Sequence, residues 1–201
     1  ETLTTTYDVF CRPTLKAFMP GGHYERSIYV VGTPTVRQHT RVETPSADGV
    51  SVQWTESYFD GAGRVFEKRA KGPTTIVQTT TFDAHGQVAT ESLPYFLGQP
   101  AYATSFKYDA LGREIDRTYA SGEKVTTAYG DRFICRTDEE AHQTCSDLDS
   151  LGRIVGQREL VTGGRWVTTT LQYSMRGDRT RLRGALGNTV TTDYVSLGRS
   201  T

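Results

Sequence analysis

The sequence has no excess of either charge and no long hydrophobic run. Its 201 residues include 23 basic and 23 acidic side chains, so the formal net charge at pH 7 is +0. Nucleic-acid-binding domains normally present a basic stripe, so this balance argues against a nucleic-acid partner. No stretch is apolar enough to span a bilayer. The first residues, Glu1-Thr2-Leu3-Thr4, lack the basic and apolar regions of a signal peptide.

The residue patterns of common catalytic and metal sites are also missing. The chain contains neither His-Glu-x-x-His nor Cys-x-x-Cys, and no Gly-x-Ser-x-Gly elbow. None of its histidines has a ligand at metal spacing, and they are His23, His39, His85 and His142. We therefore predict no enzyme activity and no catalytic, cofactor-binding or metal-binding residue. A glycosidase-like pair of carboxylates stays open, because strand pairing decides that distance.

Cysteine is scarce, with three in the chain. Cys11 stands alone, whereas Cys135 and Cys145 lie symmetrically about residue 140. If a hairpin turns there, the two face each other across two strands, which suits a disulfide. The alternative is two free thiols in a chain that folds in a reducing cytoplasm. The sequence leaves both readings open.

Strand-forming residues are abundant in place of helix formers. Thr occurs 31 times and Met only twice, and good helix formers never accumulate in a run. One segment, residues 15–19 between Pro13 and Pro20, is compatible with a short helical turn. Hydrophobic residues make up 36% of the chain, which fits a sheet with one face in water. We expect an all-β fold.

A turn motif recurs along the chain, most clearly as YDALGR at residues 108–113. Its Asp can accept a hydrogen bond from a backbone N–H two residues on, and its Gly can adopt the positive φ of a G1 bulge. The closing glycines are 23, 26, 40, 25 and 21 residues apart, a period that predicts a repeat array. The predicted turn residues are Asp60, Gly63, Asp83, Gly86, Asp109, Gly112, Asp149, Gly152, Gly177 and Gly198.

The copies YDALGR, YFDGAGR, DLDSLGR and YVSLGR resemble YD-repeat (RHS) proteins. Residues 91–96, ESLPYF, are similar to the B and C components of insecticidal toxin complexes. The resemblance covers about residues 55 to 201. It implies antiparallel β-hairpin repeats that form a curved, spiralling strip and close into a hollow shell. Such a shell holds a toxic C-terminal segment or, as in teneurins, serves adhesion. The family's self-cleaving Asp-Pro-x-Gly motif has no match here.

The repeats and the resemblance together give an expected organisation. Residues 58–201 form the array, with about six to seven turn units. Residues 1–57 are a degenerate or flanking β segment, and residues 93–102 are a loop inserted between repeats. The chain has no initiator Met and stops just after a turn, so we expect a fragment of a longer chain. The aromatic before each turn is expected to point to one common face as a ladder: Phe59, Phe82, Tyr108, Tyr173 and Tyr194.

The expected function is structural: a segment of a β-shell that encapsulates and carries a toxin or other polypeptide cargo. Its partners would be the remainder of its own shell, the enclosed C-terminal cargo and toxin-complex subunits. We expect it to be secreted or extracellular after assembly in the cytoplasm. The alternative is an extracellular adhesin-type module that recognises a glycan or a protein. Exposed aromatic residues on one sheet face or in the 93–102 segment would favour that alternative.

Overall fold

The structure is a computed structural model that describes residues 2–20, 22–47 and 49–194. These residues form eighteen strands and no helix, and the strands pair antiparallel. The prediction of an all-β chain built from antiparallel hairpins is therefore confirmed. Among the described residues no helix is long and apolar enough to cross a membrane. The chain divides into two compact units, residues 1–105 and 106–201.

The first unit is a succession of hairpins. Its strands are β1 (Thr2–Tyr7), β2 (Pro13–Met19), β3 (His23–Val30), β4 (His39–Pro45), β5 (Val52–Phe59), β6 (Val65–Ala70), β7 (Ile76–Phe82), β8 (Val88–Ser92), β9 (Tyr95–Phe96) and the start of β10 (Ala103–Tyr108). From β1 to β8 each strand pairs with the next along the chain. β9 pairs with the start of β7, and β10 pairs with β8.

Two local expectations are corrected in this unit. Residues 15–19 lie within β2, so the helical turn is wrong. A five-residue helix would have to form a costly nucleus, whereas β2 pairs on both sides with β1 and β3. Residues 93–102 are not wholly a loop, because Tyr95 and Phe96 form β9.

The second unit is a meander in which every strand pairs with its neighbour in sequence. Its strands are β11 (Glu114–Thr118), β12 (Lys124–Tyr129), β13 (Phe133–Thr137), β14 (Gln143–Leu148), β15 (Ile154–Val161), β16 (Arg165–Tyr173), β17 (Arg179–Arg183) and β18 (Thr189–Thr191). Consecutive pairing follows from the short turns, because a two- to five-residue connection brings the next strand alongside the last.

Neither unit contains much of a buried core. In the first unit the buried residues among those described are Tyr58, Val77 and Ser92. In the second they are Val125, Cys145 and Gly156. Strands contact their sheet neighbours, so stability must come from pairing and from side chains that join neighbouring strands.

Candidate functional site

The turn at residues 60–64 shows how each hairpin is closed. The Asp60 N–H donates to the Arg64 carbonyl at 2.9 Å, and the Gly63 N–H donates to the Asp60 carbonyl at 3.0 Å. One carboxylate oxygen of Asp60 accepts the N–H groups of Ala62 and Arg64, both at 2.9 Å. The other oxygen accepts Nε of Arg64 at 2.8 Å. We call this arrangement of an Asp, two turn N–H groups and the side chain four residues on a turn clasp.

The turn clasp recurs at the predicted positions. Asp109 with Arg113 and Asp149 with Arg153 repeat every bond of the Asp60 turn. The turns at 83–87 and 174–178 repeat the backbone bonds but have Gln87 and Asp178 in place of arginine, and the second has the Ser174 hydroxyl in place of the carboxylate. In these turns the closing glycines have positive φ, which is 78° at Gly112 and 77° at Gly152. Gly198 lies outside the described residues.

A register shift accompanies four of these turns and also the turn at residues 8–12. It falls at the end of the incoming strand, at Thr6/Tyr7, Tyr58/Phe59, Thr81/Phe82, Asp147/Leu148 and Gln172/Tyr173. A bulge at this place lets the turn keep its i to i+4 closure while the outgoing strand recovers its pairing.

Two turn clasps were missed by sequence reasoning. Asp8 with Arg12 and Asp138 with His142 make the same carboxylate bonds as Asp60. The residue with positive φ is Cys11 in the first (59°) and Ala141 in the second (64°). A search for glycine passes over both. The better signal is an Asp followed four residues later by Arg or His.

The clasp carboxylates are held in the ionised form. The backbone N–H of the residue four positions on is the largest influence on the pKa of Asp60, Asp109 and Asp149, and it lowers that pKa below the ordinary value. The guanidinium of the same residue lowers the pKa further. The acid group therefore works as a fixed anion that closes the turn.

Each clasp arginine also lies over an aromatic ring of the hairpin that follows. The guanidinium carbon is 4.1–4.8 Å from the ring centroid in four such pairs: Arg12–Tyr29, Arg64–Phe82, Arg113–Tyr129 and Arg153–Tyr173. The five aromatics that precede turns are half-buried. We call the four arginine–ring pairs the arginine–aromatic ladder. It joins the turn of one hairpin to the strand of the next.

Tyrosine hydroxyls strengthen the same junctions. Tyr29 donates to the carbonyl of Pro13 at 3.0 Å, and Tyr173 donates to that of Ile154 at 2.7 Å. Pro13 and Ile154 each directly follow a clasp arginine. Tyr29 and Tyr173 therefore contact both the side chain and the backbone of the preceding turn.

Charged side chains form a second network on one face of β4, β5 and β6. Arg41 bonds Glu43 at 2.8 Å and Glu56 at 3.1 Å, with Trp54 beneath it. Glu67 bonds Arg37 at 2.8 Å and Arg69 at 2.5 Å. Burial would raise the pKa of Glu67, but hydrogen bonds from Arg37 and Arg69 outweigh it and lower that pKa.

These carboxylates are saturated by guanidinium groups, so the network does not offer the unpaired acid that general acid catalysis needs. Among the described residues no three His, Cys, Asp or Glu side chains group closely enough to hold a metal ion. The arrangement suits the bracing of neighbouring strands.

Cys135 and Cys145 are directly opposite each other on β13 and β14 and form a disulfide, with Cα atoms 4.0 Å apart. The turn between them is the clasp at residues 138–142, which pivots at residue 140. Cys11 is a free, exposed thiol.

The 93–102 segment exposes apolar side chains. The exposed fraction is 59% for Leu93, 48% for Phe96, 55% for Leu97 and 63% for Tyr102. This is the kind of exposure that an adhesin-type module would show.

The chain is similar to one family model and to solved structures of known proteins. Residues 32–134 match the family model described as Domain of unknown function (DUF6443). The crystal structure of TcdB2-TccC3-TEV is similar with a TM-score of 0.63 and 18% identity, over 86% of this chain and 13% of that chain. TcdB2-TccC3 without its hypervariable C-terminal region gives 0.62 and 18%, over 81% and 12%. No curated protein matches.

The resemblance to the YD-repeat shell of toxin complexes is confirmed at the level of the fold. The chain spans about an eighth of the length of these solved chains, as the 13% and 12% coverage shows.

Proposed function

The chain belongs to the family described as Domain of unknown function (DUF6443), and we propose that it builds part of the wall of a β-shell that encloses a polypeptide cargo. Its likeness to the TcdB2-TccC3 structures supports a shell-like structural role. The enclosure of cargo, the shell partners and secretion after assembly in the cytoplasm are parts of the proposal.

The observation that carries the proposal is the arginine–aromatic ladder. A wall one sheet thick has no core to hold it, so each hairpin must be tied to the next by side chains. Cation–π contacts at exposed sites contribute about 0.5–1 kcal/mol each, and they recur from hairpin to hairpin here. Repeated ties of this kind give the strip the nearest-neighbour coupling of repeat proteins.

The cargo is proposed to be a C-terminal segment of the parent chain. One of the similar structures was solved without a hypervariable C-terminal region. A shell wall that folds independently can enclose segments of different sequence. The further partners would then be the remainder of the shell and toxin-complex-type subunits.

Protease protection of the full-length parent chain tests this function. We expect the C-terminal segment to resist digestion in the native parent and to be cleaved once the shell is unfolded in urea. Replacing three clasp arginines (Arg64→Gln, Arg113→Gln and Arg153→Gln) should expose the segment at a lower urea concentration. Fragments are identified by mass spectrometry.

The matched control replaces three exposed arginines outside the clasps: Arg132→Gln, Arg136→Gln and Arg165→Gln. It changes the charge equally and should leave protection intact. Digestion of the C-terminal segment at the same rate in the native and the unfolded parent would contradict enclosure.

The exposed 93–102 segment favours a second candidate, an adhesin-type binding module. The variant Phe96→Ser with Tyr102→Ser should abolish binding to a glycan or protein array and leave protease protection of the parent unchanged. Loss of protection with no change in array binding would assign the segment to the wall instead.

A further inference from the structure

Strand β17 presents an arginine at every second position, at Arg179, Arg181 and Arg183. Because side chains alternate along a strand, Arg181 and Arg183 lie on one face, about 6.7 Å apart, whereas Arg179 lies at the register shift opposite Tyr173. All three are exposed, whereas the intervening Thr180 and Leu182 are half-buried. Arg181 and Arg183 therefore form a cationic stripe on an open sheet face.

The neighbours of the stripe on that face are uncharged. Residues opposite each other on paired strands share a face, and those opposite Arg181 and Arg183 are Gln172, Thr191, Thr170 and Thr189. All four are exposed. Within the part of the chain that the structure describes, neither Arg181 nor Arg183 has an ion pair or a side-chain hydrogen bond. The stripe lacks a counter-ion of its own.

Many arginines elsewhere in the chain, in contrast, are paired with carboxylates. At least nine arginines hold a carboxylate at 2.5–3.0 Å, and they are Arg12, Arg37, Arg41, Arg64, Arg69, Arg113, Arg117, Arg153 and Arg158. Like charges next to each other on a sheet repel. Arg181 and Arg183, which hold no carboxylate within the described part of the chain, therefore become more stable when anionic groups bind to them.

We propose that the face of β16–β18 that carries Arg181 and Arg183 binds an extended acidic polypeptide with Asp or Glu at every second residue. Side chains on one face of an extended segment repeat at the same spacing of about 6.7 Å, so each carboxylate meets one guanidinium. Guanidinium binds a carboxylate through two parallel hydrogen bonds. The flanking Thr and Gln side chains supply hydrogen-bonding groups beside each pair.

A polypeptide fits this face better than a nucleic acid does. Single-stranded nucleic acid is normally held by aromatic side chains stacked on its bases, and the four neighbours of Arg181 and Arg183 carry no ring. The chain as a whole has a net charge of +0, which gives no long-range attraction to a polyanion. The proposed binding goes beyond the wall function and does not depend on an enclosed cargo.

Fluorescence anisotropy with labelled ten-residue peptides tests the proposal on the 201-residue chain. One peptide alternates Glu and Thr, and the other has the same composition with the Glu residues in one block. We expect the alternating peptide to bind more tightly than the block peptide. The double variant Arg181→Gln/Arg183→Gln should weaken its binding about tenfold, as expected for the loss of two charge-assisted contacts.

The matched control is Arg136→Gln/Arg165→Gln. The strand pairings from β13 to β17 put Cys135 and Trp166 on the same face as the stripe. Arg136 follows Cys135 and Arg165 precedes Trp166, so both arginines lie on the opposite face. Both are exposed, and the charge change is the same. Binding of the alternating peptide should be unchanged in this control.

A charge-reversed variant distinguishes a loss of binding contacts from a loss of folding. Arg181→Glu/Arg183→Glu, with its strand content checked by circular dichroism, should bind a peptide that alternates Lys and Thr. The proposal is overturned if the alternating and block peptides bind equally, if the control loses as much affinity as the stripe variant, or if the reversed variant ignores the Lys peptide. Tighter binding of a ten-nucleotide single-stranded DNA than of the alternating peptide would assign the stripe to nucleic acid and also overturn it.

Discussion

At the residue scale, the fourth position of each turn requires a positive φ. Gly152 has a φ of 77°, and a Cβ built there would meet no atom within 4 Å. The substitution Gly152→Ala therefore costs backbone energy only, and we expect it to lower the free energy of unfolding by about 1 kcal/mol. Ala141 already occupies this conformation, with a φ of 64°, so Ala141→Gly should not destabilise the chain. Urea unfolding of both variants measures the difference, and equal losses would contradict the assignment of strain.

The clasp carboxylates make the stability of the fold depend on pH in the acid range. Their pKa values are lower in the folded chain than the ordinary value of about 3.9. Their contribution is therefore complete above the unfolded-state pKa and is lost as the pH falls through the folded-state pKa. We expect the urea midpoint to drop between about pH 5 and about pH 2.

The triple variant Asp60→Asn/Asp109→Asn/Asp149→Asn is expected to flatten that part of the pH profile. Asparagine keeps one acceptor oxygen but does not titrate. Asp131→Asn, an exposed residue outside the clasps, serves as the control. A triple variant that loses stability in acid as steeply as the natural chain would show that other carboxylates dominate.

Sequence reasoning at this scale succeeds where a local rule decides the conformation. An Asp at the first turn position and a Gly at the fourth mark the turns at 60–63 and 109–112, since both residues act within the turn itself. The clasps at Asp8 and Asp138 were missed because Cys11 and Ala141 adopt a conformation that their own chemistry does not favour. There the carboxylate bonds impose the conformation.

At the element scale, the junction between neighbouring hairpins rests on the ladder and on its tyrosine hydroxyls. Tyr173 donates to Ile154 at 2.7 Å and lies under Arg153. We expect Tyr173→Phe to lower the free energy of unfolding by about 1 kcal/mol through loss of the hydrogen bond. Tyr173→Ala should cost about 2 kcal/mol or more, because the half-buried ring is lost as well.

Phe82 is the natural control for the hydroxyl, since it lies under Arg64 without one. Phe82→Tyr should leave stability unchanged or raise it. Equal unfolding free energies for Tyr173→Phe and Tyr173→Ala would mean that the ring contributes nothing to the junction. Thermal and urea unfolding give the two values.

The disulfide closes the hairpin of β13 and β14. Its cysteines are 10 residues apart in sequence. Loop closure of this length predicts a contribution of about 2–3 kcal/mol, which Cys135→Ser/Cys145→Ser should remove. Without reductant, thiol titration of the denatured chain should find one thiol, from Cys11. Three thiols in protein taken from a reducing cytoplasm would favour the alternative of free cysteines.

The ladder itself was not predictable from the sequence, although its residues were noticed. The motif places Arg after each turn and an aromatic before the next, and a guanidinium there can pair with a carboxylate or stack on an aromatic ring across a hairpin, but the motif does not say which ring. The observed partners, such as Arg64 and Phe82, are far apart in sequence and meet only through the register of β6 with β7. Register is a property of the paired strands, so a local pattern cannot give it.

At the scale of the whole molecule, the low hydrophobic content of the sequence and the sparse burial in the structure have the same explanation. The described residues of each unit bury three side chains or glycines: Tyr58, Val77 and Ser92 in the first, and Val125, Cys145 and Gly156 in the second. Large apolar side chains such as Leu3, Leu97 and Val190 are more than half exposed. A composition with 36% hydrophobic residues suits such a sheet, because few positions require an apolar residue.

Sparse burial predicts a small heat capacity change on unfolding. A compact protein of 201 residues would give about 2.4–3.0 kcal/mol/K, because apolar surface exposed on unfolding raises the heat capacity. Few residues are buried here, so we expect a value clearly below that range in calorimetry at low protein concentration. A value within it at every concentration would contradict the sparse burial. A value that rises with concentration, together with an increase in mass by light scattering, would show that copies of the chain cover each other's sheet faces. In a parent shell the neighbouring wall would take over that role, and the same apolar residues would become protected there.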